Sequence, residues 1–213
     1  LSGVLNETTV LDANIDEQSR EARLRLGVLI AGPADVRPER LLMLGEVSRV
    51  AAWLRRIEYS PDPDHVWSRP GHAVQVPRDV FPPEQLDGID GLNLVWREWF
   101  GHEIYEQPLD MFDVPEQPQW LTQPSLDVRL AEATTSQVHT LDLWFDVWRG
   151  EPRMLDIRIE FGRLDLLKPD GSADSVEELA AEVAQWWREM HAGRTRAGYG
   201  IVPGGEPSKQ RPG

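Results

Sequence analysis

In Leu24-Arg25-Leu26-Gly27-Val28-Leu29-Ile30, the residues Leu24, Leu26, Val28 and Ile30 share one face of an extended chain. In Leu141-Asp142-Leu143-Trp144-Phe145-Asp146-Val147, Leu141, Leu143, Phe145 and Val147 do the same, because strand side chains alternate with period two. A constant shift of 117 relates the two stretches, and the same shift carries Thr9, Leu11 and Ala13 onto Leu126, Val128 and Leu130. A third pairing, of Leu41, Met43, Gly45 and Val47 with Leu155, Ile157, Ile159 and Phe161, needs a shift of 114. Shortening one hairpin loop accounts for that difference at little cost.

Residues 9–47 and 126–161 therefore read as two similar three-strand meander units. Two explanations fit. One is internal duplication; the other is the parity that any two half-buried strands share at some offset. The third strands also end alike, in Glu46-Val47-Ser48-Arg49 and Glu160-Phe161-Gly162-Arg163. The equivalent Glu and Arg suggest paired surface ion bridges of small energetic worth.

The rest of the chain sorts around these units. Residues 1–60 read as a first β unit, and 61–124 as a Pro/Trp-rich connection packed on the core. In that connection 73–76 suggests a short strand and 92–100 a short helix or strand. Ser60-Pro61-Asp62-Pro63-Asp64 and Phe81-Pro82-Pro83-Glu84 carry turn chemistry. Residues 125–193 hold the second unit and a helix over about 176–192. Ser175 and Glu178 form a capping-box pattern, Val176, Leu179, Val183, Trp186 or Trp187, and Met190 recur at helical spacing, and Gly193 supplies a stop. Residues 194–213 are rich in Gly and Pro and read as a disordered tail. The expected fold is α+β and mostly antiparallel β, one compact domain with its C-terminal helix packed on the sheet.

Composition narrows the classes of function. Lys+Arg 22 against Asp+Glu 36 gives a net charge of −14, which opposes attraction to nucleic acid or anionic membrane and leaves a basic protein as the complementary partner. Cysteine is absent, so disulfides, thiolate metal sites and cysteine nucleophiles are excluded. No apolar run approaches the ~20 residues of a spanning helix. A cytoplasmic setting follows as the expectation, although a start at Leu1 leaves room for a trimmed N-terminal signal. Oligomeric state is not legible.

Nine tryptophans supply the candidate chemistry. Asp142, Trp144, Asp146 and Trp148 lie on the strand face opposite the aliphatic one, and indoles beside carboxylates suit sugars and organic cations. The competing outcome is burial of that face beneath the C-terminal helix. A second group joins Trp96, Trp99 and Tyr105 to His102 and Glu103. Imidazole beside carboxylate can bind metal or move protons, but the stretch lacks the second histidine of a zinc-protease motif, and the ordinary role is a loop edge beside core aromatics. No Gly-x-Ser-x-Gly elbow occurs, and no cofactor, catalytic residue or metal site is expected. These features point to a non-catalytic protein that binds a macromolecular partner, of immunity, adaptor or assembly type. The alternative is a small-molecule or carbohydrate binder, or a hydrolase, with an aromatic and acidic cleft.

Overall fold

The structure, a computed structural model, describes residues 9–28, 30, 38–100, 123–132, 137–147, 151–192, 196–197 and 200–201. In chain order these hold β1 (Thr9–Asp16), β2 (Glu21–Gly27), β3 (Glu39–Gly45), β4 (Arg49–Asp62), β5 (Val74–Glu84) and α1 (Gly88–Phe100). Then come β6 (Leu126–Arg129), β7 (His139–Val147), β8 (Arg153–Phe161), β9 (Arg163–Leu167), β10 (Ala173–Asp174), α2 (Val176–His191), β11 (Arg196–Ala197) and β12 (Gly200–Ile201). One antiparallel sheet has the order β1-β2-β3-β9-β10, and a second the order β5-β4-β8-β7, with β6 also paired to β4. The expected α+β class, dominated by antiparallel sheet, is what the chain adopts.

The sheets meet at a corner made by two neighbouring strand pairs. The chain passes from β3 to β4 through Glu46, whose backbone is left-handed at φ 56°, and from β8 to β9 through Gly162. The Gly162 N–H donates to the Gly45 carbonyl (3.2 Å) and the Ser48 N–H to the Glu160 carbonyl (2.8 Å). β3 pairs with β9 on one side of the corner and β4 with β8 on the other. A left-handed L-residue costs roughly 1–2 kcal/mol, which the hydrogen bonds flanking the bend help to offset. The similar endings noted above are thus the two arms of one bend. Arg49 of one arm bonds Glu160 of the other at 3.1 Å and holds Asp127 of β6 through two bonds of 2.8 Å.

A single apolar cluster fills the space between the sheets. Val10, Ala13, Ile15, Leu24, Leu26, Leu42 and Leu44 come from the first sheet, and Val50, Ala52, Leu54, Leu143, Phe145, Leu155, Ile157 and Ile159 from the second. Ile89, Leu92, Val95, Trp96 and Trp99 of α1 join it at helical spacing, as do Leu179 and Val183 of α2. The α2 limits match the expectation, and the Glu178 N–H is capped by Ser175 Oγ at 3.0 Å.

Several expectations are corrected. β6 pairs with β4, not with β7, so residues 126–161 do not form a meander like β1–β2–β3. The third-strand correspondence holds for Gly45 and Val47, which are buried like Ile159 and Phe161, but not for Leu41 and Met43. In β3 the buried leucines are Leu42 and Leu44, while Leu41 and Met43 are half-buried. The cause is register: Leu42 and Leu44 face Leu24 and Ala22 of β2, so they must share that strand's buried side, and a slip of one residue flips every side chain. The buried residues Leu24 and Leu26 of β2 and Leu141 and Leu143 of β7 correspond at the offset of 117. Residues 61–124 are more than connection, because β4 runs through position 60 and β5 occupies 74–84. Within 194–213, β11 pairs with β12; the rest of that segment lies outside the described residues.

Candidate functional site

α1 exposes its polar side and turns the residues at 89, 92, 95, 96 and 99 inward. Trp96 is 0% and Trp99 2% exposed, so neither indole offers a surface to a ligand arriving from solvent. Trp96 meets Phe145 edge-on, with ring centroids 6.4 Å apart. The Arg153 guanidinium carbon stands 6.0 Å from the Trp99 ring centroid. Both indole N–H groups are buried without an acceptor among the described residues, a cost borne by packing. Both indoles lie in the core, as in the ordinary reading of this group, rather than lining a cleft. His102, Glu103 and Tyr105 lie outside the described residues, as do Trp148 and the side chains of Trp144 and Asp146. Asp142 is half-buried and accepts two hydrogen bonds from Arg158, at 2.8 and 3.0 Å.

The face of the second sheet turned away from the core carries a row of ions. Arg55 of β4 bonds Asp79 of β5 (2.6 Å) and Asp156 of β8, so one guanidinium ties three adjacent strands. Asp156 is 3% exposed. Burial pushes its carboxyl up to about 6, the nearby Asp79 and Asp142 charges add to this, and Arg55 opposes it. The Asp142 carboxylate holds Arg158 above the usual guanidinium range. A carboxyl titrating near 6 suits proton transfer, but Asp156 is closed to solvent and already engaged. Among the described residues no three His, Asp or Glu side chains are placed to hold a metal ion.

A different feature reaches solvent. β8 last pairs with β4 at Arg153 opposite Arg56, and the Ile57 N–H closes that edge on the Pro152 carbonyl at 2.8 Å. From Glu58 to Asp62, β4 pairs only with β5 among the described residues, in the register Glu58–Arg78 to Asp62–Val74. The result is a two-stranded ribbon standing roughly 16 Å beyond the sheet. Pro61 lies opposite Gln75 and Pro77 opposite Tyr59, so each edge of the ribbon lacks a donor where a further strand would need one.

The ribbon's tip is a fixed turn. Asp62 Oδ1 accepts the Asp64 N–H (3.0 Å), and the Asp62 carbonyl accepts Ser68 Oγ (2.7 Å). Ser68 Oγ in turn accepts the Val74 N–H (3.1 Å), and the Ser68 N–H reaches the His65 carbonyl (2.7 Å). The Trp67 N–H donates to His65 Nδ1 at 3.3 Å. Within this bonded turn Val66 is 80% and Trp67 77% exposed. The turn chemistry legible in Ser60–Asp64 stops short of both. The available signal was an apolar pair set among turn formers, in Asp62-Pro63-Asp64-His65-Val66-Trp67-Ser68.

Among the described residues no helix is long and apolar enough to cross a membrane. Against this geometry, no protein-family model, curated protein or solved structure matches the chain.

Proposed function

We propose that the protein is a non-catalytic binder of a macromolecular partner, of immunity, adaptor or assembly type, and that it meets that partner through Val66 and Trp67. One observation carries this reading: a large indole and a valine are held in solvent by a turn whose own hydrogen bonds are satisfied. A core never receives these side chains, so their exposure yields no folding energy. Burying them against a partner would recover several kcal/mol gross, on the order set by ~25 cal/mol per Å². Tryptophan is enriched among the residues that dominate interfaces, and a fixed turn loses little freedom on binding. The edge prolines direct recognition to side chains rather than to strand addition.

The test compares wild type with Trp67→Ala and Val66→Ser as baits in extract from the source cells. A protein retained by wild type and lost with either variant is expected. Equal recovery by all three baits would overturn the role of the tip. The cleft alternative draws no support from the described residues, since Trp96 and Trp99 are internal and Asp142 is committed to Arg158.

A further inference from the structure

We infer that the ribbon tip recognises a basic segment of another protein, receiving an arginine or lysine over the Trp67 indole beside the Asp64 carboxylate. This deepens the partner-binding reading and rests on it. Asp64 is exposed and lies three residues from Trp67 in the same bonded turn. An indole face attracts a guanidinium or ammonium through its quadrupole, and a neighbouring carboxylate adds a charge-assisted hydrogen bond. Val66 supplies an apolar contact for the aliphatic stem of the same cation.

Charge selects among the occupants such a tip could take. At a net −14 the chain repels nucleic acid, anionic bilayers and further copies of itself, and attracts a basic surface. The tip has no cluster of Lys or Arg with which to engage phosphate. Tyr59 on the ribbon is also exposed. Arg69 and Arg78 temper the local charge.

A displayed library of random peptides selected on the full chain tests this. Enriched sequences should carry Arg or Lys next to an apolar residue. Trp67→Ala should weaken a synthetic enriched peptide by about tenfold or more, and Asp64→Asn by roughly threefold to tenfold, an effect that fades with added salt. All substituted residues are exposed, so folding should be unaffected, which circular dichroism checks. Failure to enrich, enrichment of acidic or uncharged peptides, or binding that survives Trp67→Ala would overturn the inference. So would Trp67-dependent binding to phosphatidylserine vesicles, or Trp67-dependent self-association in sedimentation. A neutral or acidic protein captured through Trp67 would overturn the basic-segment inference while leaving the ribbon's role intact.

Discussion

The carboxamide of Asn93 on α1 makes two hydrogen bonds with the main chain of Ile15 on β1, receiving the Ile15 N–H at 2.9 Å and donating to the Ile15 carbonyl at 2.7 Å. β1 is the edge of its sheet, and the amide side chain stands where the next strand's peptide would be. Asn93→Leu should cost about 1–3 kcal/mol in urea unfolding, because it strands a partly buried donor and acceptor together. Asn93→Asp retains an acceptor for the N–H but sets a carboxylate against the Ile15 carbonyl, so it should be no better at neutral pH. A cost under 0.5 kcal/mol for both would remove this bond pair as the fastener of α1.

Ser125 performs a similar task where β4 changes partners. Its Oγ receives the Leu54 N–H (2.7 Å), its N–H donates to the Ala52 carbonyl (2.8 Å), and its carbonyl takes the Leu86 N–H (3.0 Å). These bonds bridge the gap between β6 and β5 on one edge of β4. Ser125→Ala should destabilise by about 1–3 kcal/mol and raise amide exchange at Leu54 selectively. Unchanged exchange there would argue against the bridge.

Arg40 is a buried charge of the first sheet. It bonds Asp174, whose side chain is fully buried, and Glu182 of α2 at 2.7 Å. Burial acts to raise the Asp174 carboxyl, but Arg40 and the Ser175 N–H prevail and hold it below the usual range. Arg40→Met should cost about 3–5 kcal/mol by leaving that carboxylate only the longer Lys168 contact at 3.9 Å and the Ser175 N–H. Adding Asp174→Asn should recover part of the loss; a strictly additive double variant would contradict the coupling.

Asp156 predicts a pH dependence of opposite sign to an ordinary ion pair. Its folded pKa is about 6, against roughly 3.9 unfolded. Below the unfolded value both states hold the proton and the group contributes nothing to the slope. Between about 4 and 6 the unfolded chain releases a proton that the fold retains, so stability falls as pH rises, by a total on the order of 3 kcal/mol. Wild type should therefore lose ground relative to Asp156→Asn across that window and hold a constant difference above about pH 7. A difference independent of pH would show that Asp156 titrates normally.

Residues with a single legible pattern predicted their structure well. The Ser175 and Glu178 cap with Leu179, Val183 and Trp186 located α2, and the alternations Leu24/Leu26 and Leu141/Leu143/Phe145 gave the buried faces of β2 and β7. Leu41-Leu42-Met43-Leu44 is apolar throughout and has no readable parity; only its pairing with β2 decides which side is inside. β5 was hidden by Pro77, Pro82 and Pro83, which an edge strand tolerates and a central strand does not. Burial of Asp156 was illegible because alternation alone assigns a polar residue to solvent. At the tip, Val66 and Trp67 follow turn formers, and nothing local says that the flanking strands stand clear of the sheet.

Trp67 offers the most direct measurement. A photo-crosslinking phenylalanine at position 67, expressed in the source cells and irradiated, should give one discrete adduct with another protein. The same residue at position 94, where Leu94 is exposed on α1, should give none of that adduct. Partner recognition by the ribbon predicts this contrast; an adduct of equal yield at both positions, or none at 67, would contradict it.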